Sequence, residues 1–248
     1  MLKNKIALIT GGSRGIGSAT AKLFARQGAT VAVNYNQNIN AANLVVDEIT
    51  NNGGKAFAVR ADVTNVDQVE RMISEVESQL GKIDILVLNA GLHFKMTPFM
   101  ELSWEDFSHK YVGELQASWH CCKHVIPSML ERKTGSIIMV SSGLSRRSGP
   151  GFMAHSASKA ALNSFAKSLA VELSPKGIRV NVVAPGLTMT DATSWMPKER
   201  IEASSRLAPL QRVGTPEDMA EAILFFAGEQ SQFITGSYLP VDGGMTML

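Results

Sequence analysis

The chain has 248 residues, of which 45% are hydrophobic and 19% are charged, a balance that supports a large folded core and excludes a disordered chain. The formal net charge of +2 argues against nucleic acid or a membrane surface as a partner. Apolar runs are too short to cross a bilayer, and the start of the chain leads directly into a strand-like run. The only cysteines, Cys121 and Cys122, are adjacent, and neighbours rarely form a disulfide with each other. We expect a cytoplasmic protein with one domain over residues 1–248.

Short apolar, β-branched runs alternate with longer stretches of helical periodicity along the whole chain. The runs predicted as strands are Ile6–Thr10, Thr30–Asn34, Ala56–Val59, Ile83–Asn89, Ser136–Ser141, Arg179–Val183 and Tyr238–Val241. The stretches predicted as helices are Ile16–Gln27, Asn40–Asn51, Val66–Leu80, Trp104–Glu131, Ser156–Ser174 and Pro216–Gly228. Because strands and helices alternate with short connections, we expect an α/β fold, a single doubly wound parallel sheet (Rossmann-type) with helices on both faces.

One stretch, Met189–Val213, is less regular than the rest and is rich in Met, Thr, Ser and Pro. It follows the sixth predicted strand, and loops in such places often carry function. Its composition is compatible with a substrate lid and equally with an ordinary surface loop that contains a helical turn.

The first predicted strand runs into a glycine-rich turn, Thr10-Gly11-Gly12-Ser13-Arg14-Gly15-Ile16-Gly17, and a predicted helix follows at once. Glycines allow the chain to turn tightly and let its backbone approach a pyrophosphate, while the helix N-terminus offers N–H groups to the phosphates. A glycine-rich turn placed between a first strand and a helix therefore predicts a dinucleotide site.

Two motifs resemble those of the short-chain dehydrogenases/reductases: the spacing Gly-x-x-x-Gly-x-Gly in this turn and the later segment Ala154-His155-Ser156-Ala157-Ser158-Lys159. Further matches near the C-terminus, such as Ile234-Thr235-Gly236, extend the resemblance over almost the whole chain. The overall pattern is similar to that of 3-oxoacyl-[acyl-carrier-protein] reductases and related polyketide reductases. This resemblance implies an oxidoreductase that transfers hydride between a nicotinamide cofactor and a carbonyl group.

The resemblance also implies which residues contact the cofactor. They are Gly11, Ser13, Arg14, Gly15, Ile16 and Gly17 in the glycine turn, Asn34 and Tyr35 at the second strand, Asp62 and Val63 after the third, Asn89, Ala90 and Gly91 after the fourth, Lys159, and Pro185, Gly186, Thr188 and Thr190 after the sixth. No carboxylate lies between the second strand and Asp47 to accept from a ribose 2′-hydroxyl. Arg14 stands where NADP-dependent members place a partner of the 2′-phosphate, and a guanidinium suits that group. We therefore predict NADP(H).

Carbonyl reduction in this family uses an Asn, a Ser, a Tyr and a Lys. Ser142 and Lys159 match the Ser and the Lys, which implies that Ser142 polarises the substrate carbonyl and Lys159 binds the nicotinamide ribose. The Tyr position, however, holds His155, and the Asn position holds Glu114. The chain is thus expected to have an atypical catalytic tetrad.

Charge connects these two departures. The charge of Lys159 disfavours a protonated imidazole, whereas a nearby carboxylate favours it. We hypothesise that His155 donates the proton and that Glu114 keeps it charged, directly or through a water molecule. Three alternatives stay open: Tyr111, three residues before Glu114, is a displaced donor; Ser142 and water handle the proton while His155 only fills space; or the protein binds NADPH without turnover.

The resemblance implies a substrate that is either a small molecule or a chain bound to an acidic carrier protein. Two basic residues dock this carrier in the related reductases, and here they would be Lys133 and Lys176. Several side chains near the predicted cleft suggest an apolar or aromatic substrate portion, although packing explains them equally well; they are His93, Phe94, Lys95, Phe152, Trp195 and Met196. Reduction of a conjugated C=C bond or of an iminium is the alternative, since a carboxylate stabilises a cationic iminium. The family also implies a homo-oligomer, a dimer or homotetramer, built through Trp104–Glu131 and Ser156–Ser174.

Overall fold

Seven parallel strands form one sheet in the computed structural model, which describes residues 1–247. The strands are β1 (Ile6–Ile9), β2 (Thr30–Tyr35), β3 (Lys55–Arg60), β4 (Ile85–Leu88), β5 (Gly135–Val140), β6 (Ile178–Pro185) and β7 (Tyr238–Val241). Their spatial order is β3-β2-β1-β4-β5-β6-β7, with every neighbouring pair parallel. Strands β2 and β3 are added on one side of β1, and β4 to β7 are added on the other side. The connections therefore diverge between β1 and β4, which opens a crevice at the carboxyl ends of these two strands. The predicted doubly wound fold is confirmed.

Helices cover both faces of this sheet. They are α1 (Gly15–Arg26), α2 (Ile39–Asn51), α3 (Val66–Leu80), α4 (Trp104–Arg132), α5 (Met153–Leu173), α6 (Lys198–Leu207) and α7 (Pro216–Ala227). Side chains of α3, α4 and α5 form one apolar layer with the sheet, and those of α1, α2 and α7 form the other. Strand β1 supplies Leu8 to the first layer and Ala7 and Ile9 to the second, since successive side chains of a strand point to opposite faces. Across residues 1–247, no helix has the length and apolar character needed to span a membrane.

The start of α5 matters for the site. The predicted start at Ser156 is too late, because the Ser156 N–H already donates to the Phe152 carbonyl (2.8 Å) and the helix begins at Met153. His155 consequently lies in the first turn of α5, and Lys159 follows one turn later on the same face. By contrast, the predicted bounds of α3 and β7 are those observed.

The irregular stretch after β6 is a long excursion whose two ends are hydrogen-bonded to each other. Thr188 and Gly214 form an isolated parallel bridge, and the Met189 N–H donates to the Gly214 carbonyl (2.9 Å). Between these points the chain forms α6, where the sequence predicted at most a helical turn. Arg200 of α6 places its guanidinium 5.9 Å from the centre of the Phe152 ring. The excursion therefore lies over the beginning of α5.

Candidate active site

The glycine turn between β1 and α1 is shaped to admit a ligand. Gly11 and Gly15 have φ angles of +60° and +51°, which favour glycine. A Cβ atom on Gly17 would lie 2.3 Å from the Gly11 carbonyl oxygen, so a larger residue does not fit. Arg14 precedes α1 without a side-chain hydrogen bond to the first turn, which leaves backbone N–H groups there for a ligand. The turn fits the pyrophosphate of a dinucleotide.

Two asparagines hold this turn against the sheet. The Gly11 N–H donates to the side-chain oxygen of Asn34 (3.1 Å), whose amide donates to the Ala61 carbonyl (3.1 Å). The side-chain amide of Asn89 donates to the carbonyls of Thr10 (2.9 Å) and Gly11 (3.1 Å). Asn34 is only 2% exposed, and its amide is engaged with the backbone. Asn34 therefore supports the glycine turn, and its predicted direct contact with the cofactor stays a prediction.

The other residues predicted to bind the cofactor lie at the carboxyl ends of the strands or just beyond them. They are Ser13, Ile16, Tyr35, Asp62, Val63, Ala90, Gly91, Pro185, Gly186, Thr188 and Thr190. The Asp62 carboxylate accepts from the N–H (2.9 Å) and the hydroxyl (2.7 Å) of Thr64, which orients it. The Thr193 hydroxyl donates to the Thr188 carbonyl (2.7 Å) and accepts from the Thr190 N–H (2.9 Å). These predicted cofactor-binding residues thus lie along the carboxyl edge of the sheet.

Glu114 lies between two lysines in a buried cluster. Lys110, one turn earlier on α4, donates to Oε2 of Glu114, and Lys159 of α5 donates to Oε1. Lys110 and Glu114 are each 2% exposed, and Lys159 is 6% exposed. Burial raises the pKa of the Glu114 carboxyl, but the charges of Lys159 and Lys110 outweigh this effect and lower that pKa to about 2. At neutral pH the carboxylate is ionised and serves both ammonium groups.

The remaining hydrogen bonds of Lys159 and Ser142 define what these groups can offer. Besides its ion pair, the Lys159 ammonium donates to the Val140 carbonyl (2.9 Å). Because an ammonium has three N–H donors, one is left for a ligand. The Ser142 hydroxyl oxygen accepts from the Leu144 N–H (3.2 Å), so its own proton stays available for donation. The Tyr238 hydroxyl donates to the Ser142 carbonyl (3.2 Å), a contact that the sequence did not predict.

The ring of His155 packs against an aromatic side chain and is uncharged. Phe94 stacks on it, with ring centres 4.7 Å apart and planes inclined by 18°. Nδ1 of His155 is buried and has no hydrogen-bond partner within residues 1–247. Burial, together with the charges of Lys159 and Lys110, lowers the pKa of His155 to about 3. The imidazole is therefore neutral at neutral pH.

This geometry shows no direct pairing of His155 with Glu114. Both carboxylate oxygens of Glu114 are taken by lysines, and among the described residues no hydrogen bond links Glu114 to His155. A carboxylate shared by two ammonium groups does not offset their repulsion of a protonated ring, because the cluster keeps a net positive charge. Glu114 therefore pairs with Lys159, and its charge only partly opposes the lowering of the His155 pKa.

Tyr111 of α4 packs against another aromatic ring and has no polar partner in residues 1–247. The Tyr111 ring stacks on Phe107, with centres 5.6 Å apart, and its hydroxyl makes no hydrogen bond to another residue in the described part of the chain. The structure thus does not link Tyr111 to Ser142 or Lys159.

Lys110 is the site residue that the sequence did not reveal. Its spacing of four residues before Glu114 on a predicted helix was the available signal.

Known proteins share this architecture. Residues 11–246 match a family model described as Enoyl-(Acyl carrier protein) reductase. The chain is 41% identical over 247 residues to a 3-oxoacyl-[acyl-carrier-protein] reductase of Synechocystis sp., with 99% of this chain and 98% of that protein covered. It is 38% identical to the 3-oxoacyl-[acyl-carrier-protein] reductase FabG of Staphylococcus aureus strain Mu50, with both chains fully covered. The crystal structure of a dehydrogenase/reductase from Sinorhizobium meliloti 1021 has a TM-score of 0.92 at 38% identity, with 99% of this chain and 96% of that one covered.

The crevice at the point where the strand order reverses, with its open helix N-terminus, defines the class of dinucleotide-dependent oxidoreductases. Within that class, the chain belongs to the short-chain dehydrogenase/reductase family. The cofactor of this family is a nicotinamide dinucleotide, and the residues at the carboxyl edge of the sheet fit such a group.

Proposed function

We propose that the chain is an NADPH-dependent reductase that transfers hydride to the ketone of a 3-oxoacyl or polyketide-like substrate. The observation that carries this proposal is the state of Lys159, whose buried ammonium is held by Glu114 and the Val140 carbonyl and keeps one donor for a cofactor ribose. The names of the relatives support a 3-oxoacyl group, either on a small molecule or on a carrier protein. The nicotinamide, when bound, supplies the hydride.

A preference for NADP(H) is supported by the charges at the end of β2. Asn34 and Tyr35 close this strand, and no carboxylate follows before Asp47 to repel a 2′-phosphate. Arg14 is exposed at the N-terminus of α1. Its guanidinium can bind a phosphate dianion through paired hydrogen bonds, which a ribose hydroxyl does not offer.

Ser142 and His155 are proposed to act on the substrate carbonyl. The Ser142 hydroxyl donates to the carbonyl oxygen and stabilises the negative charge that develops there. The buried Nδ1 of His155 has no hydrogen-bond partner among the residues that the structure describes. We assign the proton of the neutral ring to Nε2, because Nδ1 is then an unpaired acceptor and no donor is buried without a partner. The charges of Lys159 and Lys110 oppose a positive ring but favour loss of a proton from the neutral ring, as they would from a tyrosine. Neutral His155 thus remains our proposed donor, in place of the imidazolium first expected, and the imidazolate left after the transfer regains its proton from solvent water.

An apolar cavity beside α5 supports a substrate with an acyl chain. It has a volume of about 430 Å³. Its lining includes Thr97, Pro98, Phe99, Gly151, Met153 and Ser156. Of the aromatic residues predicted to flank the cleft, Phe94 and Phe152 meet near His155, with their ring centres 6.0 Å apart, whereas Trp195 is 60% exposed. An acyl chain in this cavity would lie next to the turn of α5 that carries His155.

The two lysines predicted to dock a carrier protein lie away from the crevice. Lys133 and Lys176 are exposed next to the amino ends of β5 and β6, and the crevice is at the carboxyl ends of the strands. They lie at the opposite edge of the sheet from the crevice of the same chain, and their docking role stays a prediction. Support for a carrier-bound substrate therefore comes from the names of the relatives.

Reduction of a conjugated C=C bond is a second candidate, because the matched family model is described as an enoyl reductase. Reduction of an iminium loses its support. The carboxylate that was to stabilise the cation belongs to Glu114, and two lysines already neutralise it.

A substrate panel tests these activities. The purified protein is mixed with NADPH or NADH and with a 3-oxoacyl thioester, a 2-enoyl thioester or a cyclic imine, and the absorbance of the reduced nicotinamide is followed. We expect NADPH oxidation with the 3-oxoacyl thioester at a rate at least about tenfold above that with the enoyl thioester, and its loss in Lys159→Met. Oxidation with the enoyl thioester alone would establish the second candidate. NADPH binding without oxidation by any substrate would overturn both.

A homo-oligomer built through α4 and α5 is also proposed. Both helices expose large apolar side chains, including Val112 (51%), Trp119 (52%) and Val171 (77%). Exposed apolar side chains of this size are typical of contact surfaces between subunits. Sedimentation analysis is expected to give a dimer or tetramer, and a monomer at micromolar concentration would contradict the proposal.

A further inference from the structure

Lys110 completes a charge balance that the family motif alone does not require. The motif combines a neutral asparagine with a lysine, which gives a net charge of +1. Here Glu114 contributes −1, while Lys159 and Lys110 each contribute +1, so the net charge is again +1. In the absence of Lys110, Glu114 would cancel the charge of Lys159.

Lys110 contacts Glu114, one of the two positions at which the motif changes, and reaches the other, His155, only through Phe94. Its ammonium donates to Glu114 and to the Leu92 carbonyl (2.7 Å). The same ammonium lies 5.5 Å from the centre of the Phe94 ring, and Phe94 stacks on His155. A single buried side chain thus connects the residue that replaces the asparagine with the residue that replaces the tyrosine.

We propose that Lys110 is a positioning residue that compensates the charge of Glu114 and thereby directs the ammonium of Lys159 toward the cofactor. Each oxygen of Glu114 has its own lysine. Removal of Lys110 leaves Oε2 of a buried carboxylate without a partner, and such an atom takes any donor within reach. The donor nearby is the third N–H of Lys159, which is the one available to the cofactor. That this N–H binds the nicotinamide ribose rests on the proposed function.

A double-mutant cycle tests this role through cofactor affinity. The variants are Lys110→Met, Glu114→Asn and the two combined, and the measurement is the dissociation constant of NADPH by fluorescence titration. We expect Lys110→Met to raise this constant about tenfold or more, and the combined variant to return to within about threefold of the wild type, because contacting residues couple. Losses that simply add in the combined variant would overturn the proposal.

Two controls separate positioning from general stability. Lys82→Met removes a lysine that pairs with Glu77 (2.7 Å) at the surface, and it is expected to leave the NADPH constant unchanged. Thermal unfolding of each variant shows whether it is folded. If Lys110→Met does not fold, a folded combined variant that binds NADPH supports the compensation, and a combined variant that also fails contradicts it. A purely structural role would lower stability in all variants without restoring affinity in the combined one.

The outcome for Lys110 can be told apart from that for the proposed function. A wild-type protein that oxidises no NADPH with any substrate, but whose NADPH constants show the coupling, would refute the activity and support the role of Lys110. Turnover with additive changes in the constants would support the activity and refute the role of Lys110.

Discussion

Lys110 and Glu114 form an ion pair across one turn of α4 with only 2% of each side chain exposed. Burying two charges costs several kcal/mol for each ion, and a single pair does not always regain this. Here Lys159 occupies the second oxygen of Glu114, and carbonyl oxygens accept from both ammonium groups. Each oxygen of the Glu114 carboxylate therefore has a lysine partner. Replacement of any one of the three residues is expected to lower the stability of the protein, because it leaves a buried charge without its partner.

Replacement of Glu114 by Gln tests the cluster as a unit. The change leaves two buried ammonium groups without a counter-charge, and we expect the free energy of unfolding to fall by about 3–5 kcal/mol. Urea denaturation at pH 7 measures it. Glu202→Gln is the matched control, because Glu202 pairs with Lys198 at the same i, i+4 spacing on the surface (3.8 Å); its cost is expected to stay below about 0.5 kcal/mol. Similar small losses in both variants would contradict a buried, coupled cluster.

His155 makes a signed contribution to the pH dependence of stability. Its pKa is about 3 in the folded protein and 6.5 in an exposed chain, so between these values the unfolded state binds a proton that the folded state does not. Stability therefore falls as the pH is lowered from 6.5 toward 3, with this residue contributing about 1.4 kcal/mol per pH unit. His155→Phe retains an aromatic ring against Phe94 and removes this contribution. Denaturation curves between pH 7 and 4.5 are expected to show a shallower loss in the variant, and parallel curves would refute a neutral His155.

The pH dependence of kcat/KM is expected to reflect Lys110. Burial lowers the pKa of Lys110 to about 8, although the charge of Glu114 opposes this. Above that pH the Lys110 ammonium loses its proton, the cluster becomes neutral, and turnover falls. No limb is expected near pH 6.5, because His155 stays neutral throughout that range. In Lys110→Met the alkaline limb near pH 8 should be absent, and its persistence would assign it to another group.

The glycine turn gives a prediction about cofactor binding. In Gly17→Ala the new methyl group would meet the Gly11 carbonyl oxygen at 2.3 Å and the Asn89 side-chain nitrogen at 2.6 Å, so the turn must shift. We expect the dissociation constant of NADPH to rise at least about tenfold, since the backbone approach to the pyrophosphate is lost. Ser18→Ala, the next residue of α1, serves as the control and should bind NADPH normally. Unchanged affinity in Gly17→Ala would remove the glycine turn from the cofactor site.

Replacement of Arg14 tests the proposed preference for NADPH over NADH. Arg14→Ala removes the cation offered to the 2′-phosphate, so the dissociation constant should rise for NADPH and stay nearly constant for NADH. A loss of about tenfold in the NADPH preference corresponds to about 1.4 kcal/mol, close to the lower end of the range for a charge-assisted hydrogen bond. Titration of both cofactors measures it, and an equal change for both would assign Arg14 to the common pyrophosphate.

The fold and the cofactor crevice were largely readable from the chain because their signals are local. Alternating strand and helix patterns predicted the order of elements, and the glycine spacing marked the turn at the reversal of the sheet. The end of β2 was predicted one residue early, at Asn34 instead of Tyr35, and the hydrogen bonds of the Asn34 side chain were not predicted. Whether a polar side chain at that edge points to the crevice or to its own backbone depends on the neighbouring strand, which the sequence does not display.

From the sequence we predicted that His155 and Glu114 stand at the Tyr and Asn positions of the family motif, and that Lys159 and Ser142 match its Lys and Ser. Which charges meet was decided only by the tertiary structure. The packing of α4 against α5 brings Glu114 to Lys159, and the turn of α4 brings Lys110 to the other oxygen. His155 instead stacks on Phe94 in a buried place beside two ammonium groups, where a proton is unfavourable. Ionisation depends on burial and on every charge within a few ångströms, and residues distant in sequence supply most of both.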